Sequence, residues 1–275
     1  MQSYDFDCIS DIHLDFYVKV NDPEKKIRKN IKEFVKTMLP EQPKSILIIA
    51  GDLGHYNHQN KWLIEELKKY YSFILLVAGN HDYYLISSNI SKKYNSNSLK
   101  RIEEMKSICN QIEGVYYLDG NIVEIDGIKY GGVGMWYDYS YSSKVFGKSK
   151  DSTYDLWKEV MNDSKLIKGM GSFYQLEFFN SEKEKLDNIL DKIDVIITHV
   201  GSDWSRISHE YKFDHTTSFY YFDGEEFLNR VEDKVWIFGH THERYDYELF
   251  GCRFINCSLG YPSERKNRKI VNIIK

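Results

Sequence analysis

The chain has 275 residues, 42% of them hydrophobic, with 37 Lys and Arg against 41 Asp and Glu for a formal net charge of −4. That length suits one large α/β domain or two small ones, with enough apolar residues to bury a sizeable core. The acidic balance and the lack of a long basic stripe argue against a protein that coats nucleic acid, although bound cations can still recruit a phosphate locally. No apolar run approaches the roughly 20 residues of a membrane helix, and the opening MQSYDFDCISDIH lacks the basic-then-apolar order of a secretion signal. Cys8, Cys109, Cys252 and Cys257 are scattered and read as buried free thiols, so a cytoplasmic protein is expected. The 22 Tyr and 15 Phe either line a substrate groove or reflect drift in a Lys-, Asn- and Ile-rich chain.

In chain order, a strand over residues 4–10 runs into Asp11-Ile12-His13. Asp22-Pro23-Glu24 opens a helix, with Asp22 as N-cap, and Ile27, Ile31, Phe34, Val35 and Met38 keep helical spacing. A strand over 45–50 leads into Gly51-Asp52, and Trp62, Leu63, Leu67 and Tyr70 mark a second helix. A strand over 73–78 leads into Gly79-Asn80-His81-Asp82. Leu99, Ile102, Met105, Ile108, Cys109 and Ile112 mark a third helix, and Asp126-Gly127 turns a hairpin within 121–131. Ser181 with Glu184 reads as a capping box opening a helix to about Leu190. Strands over 195–198 and 235–238 run into His199 and into Gly239-His240-Thr241-His242. A ribbon around Phe250-Gly251 and a strand over 269–274 finish the chain. Residues 83–98, 135–178 and 201–222 are long polar or aromatic excursions of the kind that form lids or substrate walls. With no internal repeat and no linker, residues 1–275 are expected to form one domain: an α/β fold with a mixed sheet or two packed sheets flanked by helices.

Five short, continuously apolar runs suit strands buried on both faces, and each ends in Asp, Asn or His. Ligands gather beyond the carboxyl ends of such strands. The two-residue spacing of Asp11 and His13, and of His240 and His242, puts each pair on one face of an extended chain. Imidazole with carboxylate and amide oxygens suits two divalent ions such as Mn, Fe, Zn or Ni. If two metals are to sit about 3.5–4 Å apart, one carboxylate must bridge them, and Asp52 is the candidate. Two such ions, two Asp carboxylates and a bridging hydroxide leave a charge of about +1, which attracts phosphate despite the acidic chain.

The ordered set Asp11-Ile-His13, Gly51-Asp52-Leu-Gly-His55, Gly79-Asn80-His81-Asp82, His199 and Gly239-His240-Thr-His242 resembles the calcineurin-like metallophosphoesterase superfamily. The resemblance implies a four-layer α-β-β-α sandwich of two mixed sheets. It implies a first metal on Asp11, His13, Asp52 and His242 and a second on Asp52, Asn80, His199 and His240. His81 would then be a general acid or a phosphate contact, and the reaction a direct attack on phosphorus by a metal-bridging hydroxide. Met161-Asn162-Asp163 and Gly260-Tyr261-Pro262 with Glu264 are similar to a bacterial subfamily of predicted phosphohydrolases.

One position departs from the pattern: the Asp that orients the catalytic His is here His55. It reads as an extra ligand or a group behind the ligands, as a phosphate contact, or as a solvated loop residue, with Asp82 left to orient His81. After His199, Arg206 could fork onto a phosphate and Trp204 stack on a base, with Tyr137, Tyr139 and Tyr141 on another wall; both segments also read as ordinary surface. The expected partner is a small phosphate ester, a nucleotide among the candidates. A nuclease or nucleic-acid phosphatase is the alternative, and a non-catalytic metal-binding scaffold follows behind it.

Overall fold

The computed structural model describes residues 4–265 and 267–274. The strands are β1 (Asp5–Ile9), β2 (Ile46–Ala50), β3 (Phe73–Val77), β4 (Val115–Tyr117), β5 (Ile122–Ile125), β6 (Ile128–Gly132), β7 (Val195–Ile197), β8 (Val235–Phe238), β9 (Tyr245–Leu249), β10 (Cys252–Asn256) and β11 (Val271–Ile274). They form two mixed sheets, ordered β11-β1-β2-β3-β4 and β5-β6-β7-β8-β10-β9. Strands β1 to β4 run parallel, as do β6, β7, β8 and β10, while β11, β5 and β9 close the edges antiparallel.

Side-chain alternation explains the four layers. Along β2, Ile46, Ile48 and Ala50 enter the core between the sheets, where they join Val195, Ile197, Val235 and Ile237. Leu47 and Ile49 face the other way, onto helices α1 (Glu24–Met38), α2 (Asn57–Leu67) and α3 (Ser98–Asn110). On the outer face of the second sheet, Trp236, Phe254 and Ile196 pack with Trp157 of α4 (Lys150–Val160) and with Leu186 and Ile189 of α5 (Glu177–Leu190). Strands buried on both faces cannot alternate polar with apolar, which is why they read as unbroken apolar runs.

Both hairpins turn where expected, with positive φ at Asp126 and Gly127 (51° and 79°) and at Phe250 and Gly251 (51° and 70°), which matches strand twist. Helix starts differ from expectation. Pro23, not Asp22, occupies the N-cap of α1, and Asp22 instead accepts a hydrogen bond from Lys26 at 3.0 Å. Helix α5 begins at Glu177, ahead of the Ser181 expected to cap it, because Phe178 and Phe179 extend its buried face. All four cysteines are buried, and among the described residues no helix is long and apolar enough to cross a membrane.

The parallel strands β6 and β7 of the second sheet meet closely at Gly132, where an added Cβ would lie 2.1 Å from the Ile197 carbonyl oxygen. Backbone cannot yield there, so Gly132→Ala should destabilise the fold by about 1–3 kcal/mol, read as a lower urea midpoint with unchanged slope.

Candidate active site

The residues at the carboxyl ends of β1, β2, β3, β7 and β8 meet where the two sheets face each other. Asp11, His13, Asp52, His240 and His242 all adopt left-handed backbone, with φ between 44° and 70°. The chain is therefore not extended through either pair, and the shared-face argument from two-residue spacing does not hold. Sharp left-handed turns after each strand aim the side chains inward instead, at a cost of order 1–3 kcal/mol for each such residue. Gly79 is required for the same convergence: a Cβ there would come 2.1 Å from Asp52 Oδ1.

Donor atoms fall into two sets that meet at one oxygen. His13 Nε2 lies 3.0 Å from His242 Nε2, and His242 Nε2 lies 3.5 Å from Asp11 Oδ1. On the other side, His199 Nε2 lies 3.1 Å from His240 Nδ1 and 3.2 Å from Asn80 Oδ1. Asp52 Oδ2 sits between the sets, 3.7 Å from His13 Nε2 and 3.5 Å from His199 Nε2. Ligand atoms bound about 2.1 Å from a common ion sit roughly 3.0–3.6 Å from one another for angles of about 90–120°, so these spacings are close to what a metal ion needs.

Most donors are held from behind. His199 Nδ1 meets the Ala50 carbonyl at 2.8 Å, His240 Nε2 the Phe219 carbonyl at 2.9 Å, and His242 Nδ1 Glu264 Oε2 at 2.7 Å. Asp11 Oδ2 accepts from the Ser10 and Ser258 hydroxyls, each at 2.6 Å, and from the His240 amide at 3.0 Å. Asn80 Nδ2 donates to Asp163 Oδ1 at 2.9 Å, which turns Asn80 Oδ1 toward the histidines. Asp163, fully buried, also accepts from Tyr84 and Tyr137. His13 is fixed by ring packing on Tyr261, with centroids 4.7 Å apart, while its Nδ1 has no hydrogen-bond partner.

His81 has a different support from the one expected. Its Nδ1 meets His55 Nε2 at 2.9 Å, and His55 Nδ1 meets Asp15 Oδ2 at 2.7 Å. Asp82 does not orient it: its carboxylate accepts from the amides of Gly79, Asp52 and Leu53 at 2.8, 2.9 and 3.2 Å and locks the second and third strand-end loops together. Buried Arg101 clamps the same loops by donating to the carbonyls of His81 (2.7 Å) and Gly54 (2.5 Å). Asp15, Asp163, Glu264 and Arg101 were not anticipated as supports. Asp163 and Glu264 stood in the stretches that resemble a bacterial phosphohydrolase subfamily, and Arg101 shows as a charge on the buried face of α3.

A cavity of about 320 Å³ opens over Asp52, Asn80, His81, His240 and His242. Its walls include Tyr84, Val160, Met161, Asn162, Ile207, Tyr211, Thr216, Thr217, Tyr220, Tyr221, Tyr245 and Tyr261, so all three excursions reach the site. Met161 and Asn162, singled out in the sequence, are among these wall residues, but the residues expected to contact substrate are not. Trp204 packs edge-on to Tyr141 at 5.4 Å, Arg206 lies over the Tyr247 ring at 5.7 Å, and neither lines the cavity. Tyr137, Tyr139 and Tyr141 are buried in the body of the protein. Aromatic and charged side chains in a loop signal importance without saying which way they point.

Electrostatics shows what the site lacks. Burial pushes the Asp52 carboxyl well above the usual range, and the neighbouring Asp82 and Asp11 push it further. Burial, then the surrounding imidazoles, hold His13 and His240 down to about 3 and His81 well below the ordinary value. Burial alone would also lower His242, but its hydrogen bonds to Asp11 and Glu264 raise it to about 9. Neutral imidazoles with lone pairs face to face, beside crowded carboxylates, form a set that bound cations would relieve; groups such as Asp11, His13 and His242, or Asp11, Asp52 and His199, place their donor atoms within 4.8 Å of one another.

Two packed mixed sheets with such a donor set at their strand ends define a metal-dependent phosphoesterase. The profile of the calcineurin-like phosphoesterase family matches residues 4–244, and the chain belongs to that family. The uncharacterized protein L509 of Acanthamoeba polyphaga mimivirus is 24% identical over 274 residues, covering 94% of this chain and 92% of that one. The crystal structure of a phosphopantetheinyl hydrolase from Mycobacterium tuberculosis superposes with a TM-score of 0.73 at 19% identity, over 98% of this chain and 95% of that one, so the whole fold is shared.

Two outcomes follow for metal uptake. Because His242 keeps its proton up to about pH 9, binding must displace that proton, and affinity should climb as pH rises toward that value. Calorimetry in buffers of different ionisation enthalpy will read the release. Asp163→Asn should weaken binding at the set containing Asn80 by about ten- to a hundredfold and leave the set of Asp11, His13 and His242 unchanged. Equal weakening of both sets would reduce Asp163 to a purely structural role.

Proposed function

We propose that the protein hydrolyses a small phosphate mono- or diester with two divalent ions. One would be held by Asp11, His13, Asp52 and His242, the other by Asp52, Asn80, His199 and His240. The observation that carries this reading is the position of Asp52 Oδ2, within 3.7 Å of His13 Nε2 and 3.5 Å of His199 Nε2, between two donor sets. Ions bound there would supply Lewis acidity and lower the pKa of a water molecule.

The chain's own contribution is to place a proton. Asp15 accepts from His55 Nδ1–H, which directs His55 Nε2 to His81 Nδ1. One proton carried by this pair, on either ring, leaves an N–H at His81 Nε2 on the cavity side, ready for a phosphate oxygen or a departing alkoxide. His55 thus stands where the family pattern has a carboxylate and passes the influence of Asp15 to His81. The charge on Asp15 supports the arrangement: burial raises its carboxyl, but the His55 hydrogen bond, the attraction of the His55 ring and the backbone amide bonds together more than offset this and hold it below the usual range.

The test is turnover of mono- and diesters with Mn, Zn, Fe, Ni and Mg, in a panel that includes a phosphopantetheine ester and a single-stranded oligonucleotide. Hydrolysis of small esters above the oligonucleotide is expected; the reverse would make it a nuclease, and no hydrolysis with any metal would overturn the enzyme reading. His81→Ala should keep its metals and lose about 10²–10⁴-fold in kcat on alkyl esters, with a much smaller loss on nitrophenyl esters, whose leaving group needs no proton. His55→Ala should show the same leaving-group dependence at about ten- to a hundredfold. Loss of metal from His81→Ala would instead make His81 a ligand.

A further inference from the structure

Outside the reacting centre, the cavity walls have one consistent chemical character. Tyr211, Tyr220, Tyr245 and Tyr261 present rings and hydroxyls, and Glu243 and Glu264 bring the only other formal charges on the wall away from the metal-binding end, among the described residues. The tyrosines are neutral at ordinary pH: burial first, and then nearby carboxylates, push Tyr220 up to about 12 and Tyr261 upward as well.

No Lys or Arg lines the cavity among the described residues, and the arginines around it are engaged elsewhere. Arg268 donates to the His242 carbonyl at 2.6 Å, Arg244 to the Ser258 carbonyl at 2.9 Å, and Arg101 to the carbonyls of His81 and Gly54. Arg206 rests over Tyr247. An enzyme for polyanionic esters must neutralise the phosphates that do not react, normally with Arg or Lys, because an unpaired charge in a half-buried cleft is costly. Here a second phosphate would meet hydroxyls and two carboxylates.

Resting on the phosphoesterase reading above, we infer that the substrate is an ester whose single phosphate sits at the metal end and whose organic part is uncharged or cationic and rich in hydroxyl or amide groups, and that the Glu243 and Glu264 wall selects against further anionic groups. The volume, at the small end of ligand cavities, fits a short alcohol chain or one ring system rather than a polymer. Glu264 is committed to His242, whereas Glu243 accepts only from the wall hydroxyl of Tyr245 among the hydrogen bonds described, so Glu243 is the residue whose change tests the wall without removing a bond to His242.

The experiment compares two substrates that differ by one remote phosphate: thymidine 5′-(4-nitrophenyl phosphate) and its 3′-phosphorylated form, with 4-nitrophenyl phosphocholine as the cationic member. With metal-loaded full-length protein, kcat/KM should fall roughly tenfold on adding the 3′-phosphate, and the penalty should shrink with added salt. Glu243→Lys should remove most of that penalty while changing turnover of the ester that lacks the 3′-phosphate far less. Equal or faster cleavage of the bisphosphate by the native protein, or a ratio that Glu243→Lys does not move, would overturn the inference. Calorimetric binding of phosphocholine and thymidine 3′,5′-bisphosphate gives the same ranking without turnover. If no ester is cleaved, the phosphoesterase reading fails, while the charge preference is still decided by binding.

Discussion

The structure is organised around a carboxylate that it is costly to bury. Asp52 is 1% exposed, its Oδ2 is shared between two groups of histidines, and its Oδ1 accepts the His81 amide. The adjacent carboxylates oppose its ionisation more than the His81 amide favours it, and the facing His13 imidazole is held neutral. Such desolvation is sustained only where something compensates, and the donor atoms around it form groups that could hold metal ions. The strand-end loops, their strained turns and their supports can each be traced to holding that oxygen in place.

Strain at the centre is opposed by rigid supports around it. Left-handed turns at Asp11, His13, Asp52, His240 and His242 would relax if their loops were free. Asp82 ties the Gly79 loop to the Asp52 loop through three amides, and Arg101 fastens both from beneath. Three apolar cores in four layers supply the stability on which this depends. Both sheets contribute ligands, and His199 crosses between them to the Ala50 carbonyl, so a shift of one sheet against the other would separate the donor sets.

All the described strands except the three-residue β4 (Val115–Tyr117), and the seven strand-end donor candidates, were legible in the sequence because both follow from local rules. A strand buried on both faces is an unbroken apolar run, and a polar residue at its carboxyl end stands out against it. Supporting groups leave a fainter mark. Asp163 stood in a stretch that resembled a subfamily without showing that it reaches Asn80 across 83 residues, and Asp15 reaches His55 across 40 as one carboxylate among many. The direction of side chains in loops was equally hidden: Tyr137 and Trp204 turned inward to pack, while Tyr220 and Tyr261 form the wall. The Ser181 capping box failed because two buried phenylalanines before it outweighed a few tenths to about 2 kcal/mol of capping.

The site divides recognition between two kinds of surface. One end is suited to formal charge, with cation ligands and imidazole protons for a phosphate. The other offers tyrosine hydroxyls and carboxylates, and its neighbouring arginines are turned to backbone carbonyls. A phosphate therefore has one orientation in which its charge is met, with its organic substituent against the aromatic wall. That polarity aligns the ester before any bond changes, which is the part of catalysis that positioning supplies. It also accounts for an acidic protein acting on anions: attraction is confined to the few ångströms where the phosphorus must sit, and the remainder of the cleft selects the alcohol.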